Sequence, residues 1–292
     1  MLSTQIKGEN MYRIKRKKVL NPTVTLMEIE APFVAAKAEP GQFIILRVDA
    51  NGERIPLTVA DFDREAGTVT VIFQIVGGTT EKLNRKEEGD YISDFVGPLG
   101  KATHTDGLRK VAVVGGGVGA AIAYPVAKKL HSLGCEVHAI VGFRNKDLVI
   151  LEDEFKNAST RFCLMSDDGS TGKKGLVTDA LRQLILSGEK YDEVITIGPL
   201  IMMKFVSKLT KEYGIKTVAS MNPIMIDGTG MCGGCRLTVG GKTQFACVDG
   251  PEFDAHEIDF DEAIARSSMY REFERHAYEK ACNLFKEVSQ NG

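Results

Sequence analysis

No apolar run in this 292-residue chain approaches the roughly 20 residues that cross a bilayer, so no membrane span is expected. Neither charge sign is in excess: 37 basic and 39 acidic side chains leave a formal net charge of −2. That is not the footprint of a nucleic-acid binder or a protein drawn to anionic membranes. Residues 1–10 (MLSTQIKGEN) lack the hydrophobic stretch of a secretory signal and read as a tail before the first strand-like pattern, which opens at Met11. Cysteine is scarce. Cys135, Cys163 and Cys282 are scattered, so a reducing cytoplasm is expected rather than a disulfide framework. The five histidines, His104, His131, His138, His256 and His276, show no metal-ligand spacing. Repeats and low-complexity segments are missing too. What is left, 43% hydrophobic and 26% charged, is a globular composition at a length that suggests about two domains.

The remaining three cysteines fall together in the stretch MNPIMIDGTGMCGGCRLTVGGKTQFACVDG, residues 221–250. Cys232 and Cys235 are separated by two residues and Cys247 follows after eleven more. Gly228, Gly230, Gly233 and Gly234 crowd the same loop. Thiolates suit zinc or iron–sulfur clusters, and glycines let backbone N–H groups approach cluster sulfurs. A plant-type [2Fe–2S] loop spaces its ligands C-x4-C-x2-C…C. Here the first position is Asp227, a carboxylate that can also ligate iron, so the expected metal ligands are Asp227, Cys232, Cys235 and Cys247. A tetrahedral zinc site could use the same four donors, although zinc ribbons carry two Cys-x2-Cys knuckles and this loop has one. Buried or disulfide-bonded cysteines are the plainest alternative.

Residues 11–105 read as short strands (23–31, 42–48, 67–76) separated by Gly, Pro and Asn turns, the pattern of an antiparallel barrel. Three features within them look chemical. PGQF (40–43) turns the chain into a strand. RIPLT (54–58) sets Arg54 and Thr58 beside a rigid Pro56, and Arg54 could pair with a diphosphate. VGGTTEKL (76–83) is a turn of Gly78, Thr79 and Thr80 leading into a helix, where N–H groups favour phosphate. Barrel turns carry Gly and Pro without any ligand, and a lone arginine is commonly a surface residue.

Residues 106–218 alternate strand and helix, which implies a parallel sheet with crossovers. KVAVVGGG (110–117) ends an apolar run in glycines. Gly115, Gly116, Gly117, Val118 and Gly119, followed by Ala120, fit G-x-G-x-x-A at a strand-to-helix turn, the place for a pyrophosphate. The second strand ends at Arg144 rather than at the usual acidic residue. Asp167 and Asp168 follow another strand and could face an adenosine or cap a helix. Residues 219–260 form the cysteine region. Residues 261–292 are polar and mostly helical, with a broken apolar stripe of Ile264, Phe273, Ala277, Leu284, Phe285 and Val288 that suits packing on its own chain. The expected fold is α+β and multidomain: an antiparallel flavin-binding β-barrel, an α/β parallel-sheet nucleotide-binding domain and a small C-terminal [2Fe–2S] loop domain.

Barrel, nucleotide domain and cysteine loop, in that order, resemble the ferredoxin–NADP⁺ reductase superfamily from Met11 to about Phe260. Within it, GERIPLTVAD (52–61), DLVILEDEF (147–155), SDDGSTGKKGLVTD (166–179), IGPLIMMK (197–204) and MNPIMIDGTGMCGGCR (221–236) are most similar to the small subunits of NADH-dependent reduced ferredoxin:NADP⁺ oxidoreductases. The electron-transfer subunits of dihydroorotate dehydrogenase are close cousins; they carry cysteine at the place of Asp227 and arginine at the place of Ile55. The resemblance implies one FAD, one [2Fe–2S] cluster and NAD(H). By motif match, Arg54, Pro56, Leu57 and Thr58 would hold the flavin, with Ile72, Phe73 and Gln74 forming the next strand and Thr79 and Thr80 at the diphosphate. Gly115 to Gly119 with Gly198 and Pro199 would line the nicotinamide nucleotide site. The implied partner is a larger flavin and [4Fe–4S] subunit in a heterodimer, with ferredoxin reached only through it. In that arrangement electrons run between the partner's flavin, this cluster, this FAD and NAD⁺. The electron-transfer subunit of dihydroorotate dehydrogenase, a hydrogenase gamma subunit, and a non-enzymatic redox sensor are the other readings.

Overall fold

The computed structural model describes residues 11–269 and, beyond them, only residues 272, 274, 275 and 278. Of the expected apolar stripe, Ile264 is described, while Phe273, Ala277, Leu284, Phe285 and Val288 lie outside the described residues.

The first half is a near-closed antiparallel barrel. Its strands are β1 (Tyr12–Asn21), β2 (Val24–Glu30), β3 (Phe43–Arg47), β4 (Arg54–Asp63), β5 (Thr68–Gln74), β6 (Tyr91–Ile92) and β7 (Asp94–Leu99). They are ordered β6-β1-β2-β5-β4-β3-β7. Strand alternation sets the inside: Met27 and Ile29 of β2 are fully buried, with Glu28 and Glu30 between and after them turned outward. They meet Ile14, Leu46, Val59, Val71 and Phe95 in one core. Two short helices, α1 (Pro32–Ala35) and α2 (Gly78–Asn84), fill connections.

One seam of this barrel is open. β4 pairs with β3 along its first half, Pro56 opposite Ile45 and Thr58 opposite Phe43. Its pairing with β5 begins only at Val59, with a register irregularity between Val59 and Asp61. Ile72, Phe73 and Gln74 of β5 pair with β2 on their other side. The chain therefore unzips between Ile55–Thr58 and Ile72–Gln74. Pro56, which has no N–H to donate, stands where a ladder bond is already missing, as prolines in sheets do.

The second half is a parallel sheet built from β8 (Lys110–Gly116), β9 (Glu136–Phe143), β10 (Arg161–Ser166), β11 (Lys173–Lys174), β12 (Glu193–Ile197) and β13 (Thr217–Ser220). Its helices are α3 (Gly119–Ser132), α4 (Glu152–Asn157), α5 (Val177–Leu186) and α6 (Leu200–Glu212). Val111 to Val114 are all fully buried, because both faces of a parallel sheet are covered. Val111 and Val113 share a core with α3 residues Ala123 and Val126. Ala112 and Val114 pack with Leu181 of α5 and Val206 of α6 on the other face.

The cysteine region is tied to the parallel sheet. It carries the hairpin β14 (Arg236–Val239) and β15 (Lys242–Phe245), then β16 (Glu252–Asp254). The hairpin turns through Gly240 and Gly241, both at positive φ, as a tight two-residue turn requires. β16 does not join the hairpin. It adds antiparallel to β13 as the edge of the parallel sheet, in the order β11-β10-β9-β8-β12-β13-β16. The helix α7 (Phe260–Ser268) then returns to the hairpin, where Glu262 accepts from Thr238 N at 3.1 Å. The expected boundaries at 218/219 and 260/261 thus fall inside β13 and α7. No helix among the described residues is long and apolar enough to cross a membrane.

Candidate functional site

The open seam of the barrel faces the carboxyl ends of β8 and β12. This is where the strand order of the parallel sheet reverses, the usual ligand crevice of such sheets. Between them lies a cavity of about 970 Å³, at the upper end of the roughly 300–1,000 Å³ common for small-molecule sites. Two close approaches shape its floor. A Cβ on Gly119 would lie 2.6 Å from Ile197 O, and one on Gly116 would lie 2.4 Å from Met202 Sδ. Only glycine lets α3 start this close to β12. Gly117, at φ +56°, turns the chain into the helix, and its N–H donates to Gly142 O at 2.9 Å.

Most residues singled out from the sequence line this cavity: Pro56, Leu57, Thr58, Ile72, Phe73, Gln74, Thr80, Gly116, Gly117, Val118, Gly119, Arg144, Gly198 and Pro199. Five do not. Arg54 is exposed at the start of β4 opposite Arg47. Gly115 is buried beneath α3, where a Cβ would lie 3.1 Å from Ala120 Cα. Gly78 is in the first turn of α2 but off the wall. Thr79 Oγ1 donates to Glu53 Oε2 at 2.8 Å. Asp168 is tied to Ser170: the Ser170 side chain first, and Ser170 N donating to the carboxylate at 2.9 Å, hold it below the usual carboxylate range. Thr80 reaches the wall but also closes its own turn, its hydroxyl accepting from Val76 N and Gly77 N at 3.0 Å.

Asp167, which could face an adenosine by its place after a strand, also lines the cavity, whereas sequence reasoning missed several other lining residues, among them Phe43, Phe143, Met202, Asn222 and Met225. Phe43 and Met225 matter most. Both line the cavity, and both belong to the apolar cluster that encloses Cys235 and Cys247. These two side chains are thus shared between the cavity wall and the apolar cluster that holds the two buried thiols.

The thiol loop presents its four donors as two pairs. Cys235 Sγ and Cys247 Sγ are 3.2 Å apart, far beyond the about 2.05 Å of a disulfide. Both are buried, at 1% and 2% exposure. Burial, then the neighbouring Cys235, raise the Cys247 thiol well above its ordinary value. Such a buried thiol pair favours a positive ion that takes the place of its protons. Asp227 and Cys232 make the second pair: Asp227 Oδ2 accepts from Cys232 N at 2.6 Å and Oδ1 from Thr229 N at 2.8 Å. These N–H groups, Thr229 first, hold the carboxyl below its usual range, so it is an anion at neutral pH. Among the described residues, the three side chains whose ligand atoms gather within 4.8 Å of one another are Glu136, His138 and Glu189, where Lys110 already bridges the two carboxylates. The donors of the loop do not converge on one point as a single tetrahedral zinc would require. Two pairs of donors fit a two-iron cluster.

Gly228, at φ +75°, seats this loop on the barrel. A Cβ there would lie 2.6 Å from Leu99 Cδ1 and 2.9 Å from Ile45 Cδ1.

The fold and the site define a class: a flavin-dependent oxidoreductase chain that carries FAD and a [2Fe–2S] cluster and uses NAD(H). Residues 222–259 match the model of the iron–sulfur cluster binding domain of dihydroorotate dehydrogenase B. A homologue of the dihydroorotate dehydrogenase B (NAD⁺) electron transfer subunit from Thermotoga maritima is 46% identical, covering 94% of this chain and 96% of its own. The electron transfer subunit from Fusobacterium nucleatum is 32% identical over 80% of this chain and 92% of its own. Among solved structures, one described as the NADH-dependent reduced ferredoxin–NADP oxidoreductase, studied for flavin-based electron bifurcation, superposes with a TM-score of 0.88 at 45% identity. It covers 94% of this chain and 99% of that one. The chain belongs to the family of dihydroorotate dehydrogenase B electron-transfer subunits and their homologues.

Proposed function

We propose that this chain is the electron-transfer subunit of an electron-bifurcating NADH-dependent ferredoxin:NADP⁺ oxidoreductase, acting in the cytoplasm with a larger flavin- and [4Fe–4S]-bearing subunit. The observation that carries the reading is the full-length likeness to that oxidoreductase, at 45% identity and a TM-score of 0.88; the Fusobacterium chain, named as a dihydroorotate dehydrogenase subunit proper, is 32% identical, and the Thermotoga chain at 46% is named only as a homologue of such subunits. Asp227 in place of the cousins' cysteine points the same way.

When bound, the FAD exchanges a hydride with NAD(H) and single electrons with the cluster, which is the chemistry the cofactors bring. The residues of this chain position the reactants. Residues 11–105 would hold the flavin at the open seam, with Pro56, Leu57 and Thr58 on one lip and Ile72, Phe73 and Gln74 on the other. Residues 106–218 would hold the dinucleotide, its diphosphate at the start of α3. Residues 219–260 would hold the cluster on Asp227, Cys232, Cys235 and Cys247, with Phe43 and Met225 as the packing between cluster and flavin. Within the expected helical tail (261–292), α7 would brace the hairpin. Around Cys232, which is exposed, Met231 is 88% and Ile226 50% exposed. An apolar rim beside the outermost donor suits docking of the larger subunit.

The test is anaerobic purification of the tagged chain from its native host, with its companions identified by mass spectrometry. A stoichiometric larger subunit with flavin and [4Fe–4S] signatures, and NADPH-driven reduction of ferredoxin together with NAD⁺, is the expected result. A dihydroorotate dehydrogenase or hydrogenase chain in its place would refute it.

A further inference from the structure

The segment that joins the cavity to the thiol loop carries a carboxylate with no cation bound to it among the described residues. Pro251 lines the cavity, Phe253 belongs to the apolar cluster of Cys235 and Cys247, and Glu252 stands between them. Backbone bonds hold this segment from both sides: Lys101 N donates to Gly250 O at 2.7 Å and Met221 N to Pro251 O at 2.8 Å. Strand alternation turns Glu252 away from the Phe253 side and toward the barrel. There its carboxylate accepts from the Thr103 hydroxyl at 2.6 Å. A Cβ on Gly41 would lie 3.2 Å from Glu252 Oε1, so a glycine makes room for it.

The charged groups around this carboxyl are few. Glu193 of β12, 1% exposed, is the one whose charge reaches it, and Lys216 pairs with Glu193 at 2.6 Å. Lys101 and His104, on the connection between β7 and β8, are exposed and do not bond it. Glu39, before the barrel turn, pairs with Arg64. Asp254, two residues along β16, is exposed and accepts from His256 N at 2.9 Å. The residue opposite Glu252 on β13 is the neutral Ser220.

A carboxylate turned into a protein is ordinarily matched by a cation. A hydroxyl is a different kind of partner. It donates to the carboxylate, and by rotating it accepts from the protonated acid. The contact with Thr103 therefore holds in either charge state. Burial raises the carboxyl to about 7 against the pull of the Thr103 bond, with Glu193 adding to the rise. The side chain is half-buried, so protons reach it from solvent.

We propose that Glu252 is a redox-linked proton acceptor: as one electron arrives on the cluster of the thiol loop, the carboxylate takes one proton from water, and it returns that proton when the electron leaves. Glu252 is five residues from Cys247, a stretch that spans at most about 18 Å. The packing between them is apolar, and charges interact more strongly across it than across water. An added electron makes a second negative charge at Glu252 more costly, and protonation removes that charge. One electron and one proton enter, one carboxyl O–H bond forms, and the net charge of the region is unchanged. The electron comes from NADH through the flavin or from the larger subunit, so the inference holds whichever partner is present. It rests on the reading of the thiol loop as the seat of the cluster.

The experiment uses the flavin- and cluster-loaded chain as wild type, Glu252→Gln and Thr103→Val. The midpoint potential of the cluster is followed by electron paramagnetic resonance, which separates it from the flavin, and reduced-minus-oxidised infrared spectra are taken in the carboxyl C=O region. Between about pH 6 and about pH 8.5 the wild-type potential should fall as pH rises, the reduction equilibrium changing by up to about tenfold per pH unit, the limit for one proton per electron. A protonated-carboxyl band should appear on reduction. Glu252→Gln, which matches the protonated acid in shape, should make the potential independent of pH and abolish the band. Thr103→Val removes the hydroxyl that favours the carboxylate, so it should keep the band and move the pH-dependent window upward. A wild-type potential that is flat in pH, or a slope that survives in Glu252→Gln, overturns the assignment. If Glu252→Gln does not fold, Thr103→Val decides alone, and an unmoved window overturns it. A chain that takes up no iron would sink the reading of the loop and this inference with it, whereas a loaded chain with a flat potential sinks this inference only.

Discussion

The cavity and the thiol loop are held in place by different means. The cavity is bounded by the ends of regular elements whose positions are set by buried cores on both sheets. The thiol loop between Met221 and Arg236 contains no regular element. Positive-φ glycines at 228, 230 and 233 and a carboxylate accepting two backbone N–H groups fix its course. The first kind of site survives loss of its ligand, because packing made it. The second has buried, mutually close thiols that need a cation between them, so its ligand is part of what holds it.

The sharpest way to break the comparison is to remove a thiol. Cys235→Ser should lose essentially all cluster iron and acid-labile sulfide by colorimetric assay, while the bound flavin content stays near wild type. Loss of flavin as well would show that the two sites are one structural unit. The reverse experiment is Gly119→Ala. Its Cβ would meet backbone, Ile197 O and Gly198 Cα, which cannot swing aside. A stability loss of about 1–3 kcal/mol is expected from overpacking, read by denaturant unfolding, together with weaker NADH binding and unchanged iron content.

The seam between the regions gives a smaller, pH-dependent effect. Glu252 on β16 is half-buried by solvent exposure, its carboxylate turned into the protein, with the Thr103 hydroxyl donating to it at 2.6 Å. Burial, with Glu193 adding to it, raises its carboxyl from 4.5 to about 7. Between those values the unfolded chain has already released a proton that the folded chain keeps, so stability falls as pH rises through the window. Thermal unfolding should show a midpoint that declines from pH 4.5 to about 7, and Glu252→Gln should flatten that slope. A flat wild-type profile would contradict the burial argument.

The smallest expected change sharpens the comparison inside the loop. Asp227→Cys should keep the cluster and alter its reduction potential in a spectroelectrochemical titration, because ligand charge sets the potential. An identical potential would mean that Asp227 shapes the loop through Thr229 and Cys232 without touching iron.

Much of this was legible in the chain itself, for local reasons. The alternation in VTLMEIE and the continuous apolar run VAVV distinguish half-exposed from fully covered strands, and both appear where expected. The glycine turn before α3 and the D-x4-C-x2-C loop are read from spacing alone. What escaped depends on partners far away in sequence. Nothing in RIPLT tells that β4 separates from β5 up to Val59, so Arg54 looked as near a ligand as Thr58. Asp167 and Asp168 are equivalent in sequence; only the turn to Ser170 separates them. β16 is three residues long and joins a sheet whose neighbouring strand ends over thirty residues earlier. Phe43 and Met225 declare their shared position only when barrel and loop pack together.

The unzipped seam has a consequence for how the protein is made. A strand edge left unpaired is a template for other chains, and here the edge from Ile55 to Thr58 is half-buried along the cavity. Anything that binds there adds RT ln(1 + [L]/Kd) to the stability of the folded state and covers that edge. Filling of the cavity then becomes a quality-control input during synthesis: the empty chain folds, because packing builds the site, but the filled chain is the more stable and the less prone to pair its edge with another.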